Sequence, residues 1–415
     1  MQRQSEQLAL DLTSELGVRL AAADAALAAD FPGDRAGRQP IHTVYVPADR
    51  FLVGLAQAWG EEALGVLDTH EGLFAELAGD DQIVSRVRQK LVVEPIEDLR
   101  IDFEDGYGSR GDDAEDDDVL RAAAALAADV ESGAMAPLCG IRIKSLESVT
   151  RARAVRTLVG FLTVLADAGV DAERFVVTLP KVTSVEQVQA MVFLCAQLEA
   201  SLGLAPLCFE VQIETPQSVL GADGSALVAR MVHAAEGRCS GLHYGTYDYS
   251  AFCGIAGQYQ SLAHPVADHA KAVMQAAAAG TGVRLSDGST NVLPVGDSAA
   301  VGRGWELHLG LVRRSLERGY YQGWDLHAAQ LPTRYAATYA FYRDGLADAQ
   351  RRLRDYFERT GSAVLDEPAT VRALADFVLR AVHCGAIGVD EVRAGTGLDV
   401  GRLAELAGRA PGPAS

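Results

Sequence analysis

Phe209-Glu210-Val211-Gln212-Ile213-Glu214-Thr215 alternates apolar and polar side chains with the period of a β-strand. Phe209, Val211 and Ile213 fall on one face, and Glu210, Gln212 and Glu214 on the other. About one βα unit later, Gly245-Thr246-Tyr247-Asp248-Tyr249 places a second carboxylate, Asp248, where the next strand is expected to end. Two hard oxygen donors on neighbouring strand ends suit a small divalent ion such as Mg²⁺, with positions left for water and substrate. On spacing alone, an ordinary acidic strand end followed by a turn aspartate reads at least as well. What favours a site is that other strands repeat the pattern.

Those strands are read at 43–47, 99–105, 140–145, 174–181, 239–248, 282–285 and 320–325, separated by Ala- and Leu-rich helical stretches. About eight strands alternating with helices predict an α/β fold, a (β/α)₈ TIM barrel. One long helix is expected before it, over 1–30, and a nearly all-helical region beyond Pro332. The expected organisation is an N-terminal helical segment 1–40, a TIM-barrel catalytic domain 41–332 and a C-terminal helical extension 333–415.

Strands of a fully covered parallel sheet usually read as continuous apolar runs. Here Ile101 and Phe103 alternate with Arg100, Asp102 and Glu104, and Ile141 and Ile143 with Arg142 and Lys144. In a barrel the apolar face meets the outer helices, so the charged face looks into the lumen. Buried charges are costly unless paired or bound to a metal. A lumen holding Asp102, Glu104, Arg142, Lys144, Glu210, Glu214 and Asp248 is therefore a neutralised ion network or an active site. Barrel enzymes work at the C-terminal strand ends, to which Glu104, Asp105, Arg142, Lys181, Glu214, Asp248 and His327 map; an active site is the reading adopted.

Composition narrows the class. A 415-residue chain with net charge −19 carries no basic stripe, which argues against nucleic acid. No uninterrupted apolar run approaches the ~20 residues of a membrane span. The charged N-terminus (Arg3, Glu6, Asp11, Glu15) does not read as a signal peptide. Six scattered cysteines without CxxC spacing read as reduced thiols of a cytoplasmic protein.

The motifs resemble those of the citrate lyase β-subunit/hydroxy-oxo-diacid aldolase superfamily, whose barrels are related to malate synthase and other phosphoenolpyruvate/pyruvate-type enzymes. Val44-Tyr45-Val46-Pro47-Ala48-Asp49-Arg50 resembles its first-strand motif, and Asp102-Phe103-Glu104-Asp105 its Asp-Leu-Glu-Asp. Ile141-Arg142-Ile143, Pro180-Lys181-Val182, Ile213-Glu214-Thr215 and Gly245-Thr246-Tyr247-Asp248-Tyr249 follow in family order, then Gly319-Tyr320-Tyr321-Gln322-Gly323 with His327 and Gln330. Lys144 departs from the usual Asn, and Ala328 from the Pro after the His. The segments 68–98 and 287–294, the latter hairpin-like, and the long C-terminus look like insertions, which points to a divergent branch.

The resemblance implies a Mg²⁺ (or Mn²⁺) held by Glu214 and Asp248, with Glu104 and Asp105 beside it and Arg142 facing a substrate oxygen. The implied activity is carbon–carbon bond cleavage or formation through the enolate of a 2-oxo acid or acyl-CoA thioester. A carbonyl chelated by a metal is polarised, and Arg142 adds a charge-assisted donor toward the oxyanion. His243, His327 or a carboxylate such as Asp105 could be the base, with His243 read as a hydrogen-bonded barrel histidine; Lys181 reads as a charged positioning group rather than a Schiff-base nucleophile. Other uses of the site are CoA-thioester hydrolysis, phosphoryl chemistry on an enolpyruvate, or a silent barrel serving as a subunit. The amphipathic stripes beyond about residue 333, together with the resemblance, lead us to expect a homo-oligomer, a trimer or a multiple of it, with that region at the interface.

Overall fold

The computed structural model describes residues 2–358 and 367–409. Eight parallel strands form the expected barrel: His42–Pro47 (β1), Asp98–Asp102 (β2), Leu138–Arg142 (β3), Phe175–Leu179 (β4), Cys208–Ile213 (β5), Cys239–Tyr244 (β6), Arg284–Ser286 (β7) and Gly323–Asp325 (β8). They pair in the order β7-β6-β5-β4-β3-β2-β1-β8. The last gap is closed by one parallel bridge, Ser286 to Gln322, beside which the Asp287 N–H donates to the Gln322 carbonyl at 2.8 Å. The fold is a TIM barrel with helical additions.

The period-two pattern sorts the side chains as its chemistry requires. Ile101, Ile141, Val177 and Ile213 are fully buried against the outer helices, and Phe161 of the helix Arg151–Asp167 meets Phe103 edge-on and Phe175 at a tilt. The opposite face is polar and packs into the lumen. Gly140 lies on that face because a Cβ there would overlap the Val176 carbonyl oxygen.

The lumen has two layers. In the lower, Arg100 spans the barrel from Asp98 (2.5 Å) to a two-pronged contact with Glu210 (3.0 Å each). Glu210 also takes the His243 Nε2 at 2.9 Å. The Trp324 indole N–H donates to His243 Nδ1 at 2.8 Å. An indole nitrogen only donates, so Nδ1 accepts and the ring proton sits on Nε2. Of the charged side chains expected in the lumen, Glu210 is thus taken up by a network with Asp98, Arg100 and His243, and the others that stay inside lie in the upper layer.

The N-terminal addition is the single helix expected, and the additions differ from expectation in two other places. Gln2–Asp30 is one helix, and residues 4–30 are exposed throughout. The helix Leu331–Glu358 is buried along its first half and serves as the helix after β8. Its outer stripe meets the helix Pro368–His383, with Phe377 against Phe341 and Tyr342 and with Leu346, Leu353, Val371 and Val378 in the common core. Most of the two apolar stripes thus pack on one another, while Phe357 at the end of the first stays 40% exposed. Residues 287–294 form no hairpin but an irregular loop anchored by Asp287, which pairs with Lys271 at 2.9 Å.

Candidate active site

The upper layer lies at the C-terminal strand ends and opens into a cavity of about 450 Å³. Its floor and walls include Tyr45, Asp102, Arg142, Glu214, Asp248 and Trp324.

Each carboxylate is placed by its own turn. Glu214 follows β5, whose end is pinned by Thr215: its hydroxyl donates to the Val182 carbonyl (2.6 Å) and accepts from Ser218 N–H (3.2 Å) at the start of Pro216–Val219. The next strand leaves room for Glu214 through Gly245, where a Cβ would lie 2.5 Å from Glu214 Oε2. Asp248 lies in the first turn of the helix Thr246–Phe252, just past β6, rather than on the strand itself. Asp105 and the buried Glu104 sit in the turn after β2.

Lys181 joins these groups. It follows Pro180 with φ of 50°, a left-handed conformation rare for a side chain with a Cβ. That backbone turns the Lys181 N–H to Glu214 Oε1 at 2.7 Å. Its ammonium lies 2.7 Å from Glu104, 2.7 Å from Asp105 and 3.5 Å from Asp248. Burial opposes charge on Lys181, but Glu214 and Glu104 overcome it and hold the ammonium well above its ordinary range. Burial pushes the Glu214 carboxyl up to about 8, an effect that Lys181 opposes and Asp248 and Glu104 reinforce. Burial also raises Asp248 and Glu104, whereas Asp105 is lowered because its bond to Lys181 outweighs its burial.

Arg142 is held from behind. Its Nε and Nη2 donate to Asp102 at 2.7 and 2.6 Å, its Nη1 lies 3.5 Å from Glu104, and its plane sits 4.9 Å from the Tyr45 ring centre. Asp102 also accepts from the Glu104 and Gly106 N–H groups at 2.9 and 2.8 Å. One carboxylate thereby fixes both the arginine and the turn carrying Glu104 and Asp105.

Of the residues singled out from sequence, Glu104, Asp105, Arg142, Lys181, Glu214 and Asp248 are brought together. His327 is not: its Nδ1 accepts from Ala329 N–H at 3.1 Å as a helix cap, and its Nε2 lies 3.6 Å from Glu62. Lys144 leaves the lumen, where its expected place was; beyond the end of β3 it reaches the Phe103 carbonyl (2.6 Å) and Glu115 (2.9 Å). Sequence reading overlooked Tyr45 and Trp324, lumen-face aromatics of β1 and β8, and the clamp formed by Asp102. Period two within their strands was the available signal.

Hard carboxylate oxygens suit Mg²⁺, which is commonly held by one or two carboxylates completed by water and substrate. Among the described residues no three Asp, Glu, His or Cys side chains converge as a closed ligand set. Glu214 and Asp248, carboxylates at adjacent strand ends that line one cavity, fit the open pattern.

No curated protein matches the chain. Solved structures similar to it include protein CitE of Mycobacterium tuberculosis, described in complex with magnesium, acetoacetate and coenzyme A, at 18% identity and TM-score 0.50, covering 84% of this chain and 99% of that one. A malate synthase of Haloferax volcanii has 15% identity and TM-score 0.47, covering 89% and 99%. An HpcH/HpaI aldolase/citrate lyase family protein of Burkholderia cenocepacia has 17% identity and TM-score 0.39, covering 76% and 96%. The CitE likeness agrees with the barrel described above. The family profile described as "Domain of unknown function (DUF6986)" matches residues 20–410, nearly the whole chain, and the protein belongs to that family.

Proposed function

We propose that the protein is a Mg²⁺-dependent carbon–carbon lyase or aldolase acting through an enolate of a 2-oxo acid or acyl-CoA thioester. The carrying observation is the convergence of Glu214, Asp248, Glu104 and Asp105 around Lys181, with the clamped Arg142 in the same cavity. The ligands described for CitE, magnesium, acetoacetate and coenzyme A, set the classes to test first.

Glu214 and Asp248 would hold the metal, which supplies Lewis-acid polarisation of a carbonyl when bound. The chain's own residues do the rest. Asp102 holds the Arg142 fork in one orientation, so its charge is in place before negative charge develops on the substrate. Lys181, kept charged by its carboxylate neighbours, positions an anionic substrate; a Schiff base would need it neutral. Of the three bases offered by the sequence, Asp105 is best supported, because it lines the cavity. His243 has both ring nitrogens engaged in the lower layer, and His327 caps a turn. The six cysteines, all free thiols, favour a reducing compartment, in keeping with a cytoplasmic enzyme.

The test is a screen of metal-dependent cleavage of 2-oxo-4-hydroxy acids and β-hydroxyacyl-CoA esters, following pyruvate or glyoxylate release. Release that needs Mg²⁺ or Mn²⁺ and is lost in Asp248→Asn supports the reading. Liberation of free CoA or phosphate without carbon–carbon cleavage would replace it with thioester hydrolysis or phosphoryl chemistry.

A further inference from the structure

The opposite end of the barrel carries a second cavity, of about 220 Å³, at the N-terminal end of β7. Four guanidiniums border it, those of Arg35, Arg284, Arg380 and Arg409, against a single lining carboxylate, Asp34. Asp376, just behind, pairs with both Arg380 (2.6 Å) and Arg409 (2.8 Å). The other two have only neutral partners: Arg35 donates to the Gly237 and Cys239 carbonyls (3.0 and 3.1 Å), and Arg284 to the Gly37 carbonyl (2.9 Å). Neither forms an ion pair among the described residues.

This is a local inversion in a chain of net charge −19. Burial, then the charges of Arg35, Arg380 and Arg409, push Arg284 down to about 10, with Asp98 only partly opposing them. An arginine holds its proton under almost any conditions, so such a displacement reports burial together with crowding of like charge. The same field reaches His383, which burial, Arg409, Arg38 and Arg380 hold at about 4. The N-terminal face of a TIM barrel ordinarily serves stability. Arg35 and Arg284, which have no ion pair of their own among the described residues, leave this wall with more positive charge than Asp34 and Asp376 balance.

We propose that this cavity binds a small free oxyanion, a phosphate or a short dicarboxylate, held between Arg35 and Arg284 with Arg380 and Arg409 completing the cationic wall. The guanidinium fork matches carboxylate and phosphate oxygens in pairs. The space exceeds the roughly 30 Å³ share of one water and falls below the roughly 300 Å³ at which pockets for larger ligands begin. It lies at the far end of the strands from Glu214 and Asp248, so the site is separate from the one described above.

The experiment is thermal unfolding of the full chain in EDTA, with sodium phosphate or sodium succinate compared with sodium chloride at equal ionic strength. A Kd near 0.1 mM raises Tm by about 3 °C at about 10 mM anion. The larger of the two shifts identifies phosphate or dicarboxylate as the source. Arg284→Met should raise Tm in chloride, by relieving repulsion, and lose the anion-specific shift. Asp248→Asn should keep that shift, which separates it from any anion effect at the other cavity. Arg35→Gln and direct calorimetry of the wild type with phosphate serve as the second variant and readout should Arg284→Met fold poorly. A shift no greater than that in chloride, or a full shift in Arg284→Met or Arg35→Gln, overturns the proposal.

Discussion

Replacing Asp102 by asparagine keeps the shape of the side chain and removes its charge. Asp102 Oδ1 accepts from Arg142 Nε and Glu104 N–H, and Oδ2 from Arg142 Nη2 and Gly106 N–H. Whichever oxygen becomes the amide nitrogen, it then faces two donors. Arg142, 6% exposed, is left buried without its main counter-ion, and breaking such a pair costs about 3–5 kcal/mol. For a chain of this length that lowers Tm by about 3–5 °C. If the clamp also sets the arginine's aim, kcat for carbon–carbon cleavage should fall roughly a hundredfold. Scanning calorimetry and single-substrate kinetics measure the two effects. A cycle with Arg142→Met and the double variant isolates the pair, whose coupling should be about 2 kcal/mol, the double variant being less damaged than the sum of the singles. Simple additivity, or Asp102→Asn with unchanged Tm and turnover, would refute the clamp.

Other outcomes can be checked in parallel. Glu214→Gln and Asp248→Asn should lose Mg²⁺ binding by calorimetry while the far-ultraviolet circular dichroism stays as in the wild type. Arg142→Lys should lower kcat more than it raises KM, since a point charge cannot reproduce the planar fork held by Asp102; a pure KM effect would restrict Arg142 to binding. Gly245→Ala puts a methyl 2.5 Å from Glu214 Oε2, and should cost about 1–3 kcal/mol in stability and weaken Mg²⁺ binding. His383 is lower in the folded protein, about 4, than when unfolded, about 6.5. The unfolded chain then takes up more protons, so stability is full above pH 6.5 and declines as pH falls toward 4. Allowing for its partial exposure, His383→Gln should remove about 1–2 kcal/mol of that decline, read from denaturation midpoints across the range.

Strand positions and the inward-facing charges were legible because period two is local. The division of those charges into two layers was not. Arg100 and Arg142 look alike along the chain, and only the closed barrel sets Glu210 opposite the first and Asp102 beside the second. Lys144 follows the same alternation, yet lies two residues past the end of β3, where the chain is free to turn its side chain outward to Glu115. His327 shares its motif position with a capping role that depends on the turn Ala328–Gln330. The C-terminal stripes showed that much of them must be covered, while the contact of Phe377 with Phe341 and Tyr342 is a matter of tertiary placement. Arg284 escaped notice since a lone cation at the start of a short strand carries no local signal; its three companions come from residues 35, 380 and 409.

The incomplete pairing of β7 gives the barrel a mechanical seam. Three residues hydrogen-bonded to β6 on one side meet β8 only through Ser286 and Gln322. Along that short rod, roughly 10 Å of strand, Arg284 stands at the arginine-lined end, and the chain just beyond the other end supplies Ser289 to the opposite cavity. β7 is therefore a stave held along one edge by β6 and at a single point by Gln322, with the arginine-lined mouth at its start and the carboxylate-lined mouth just past its end.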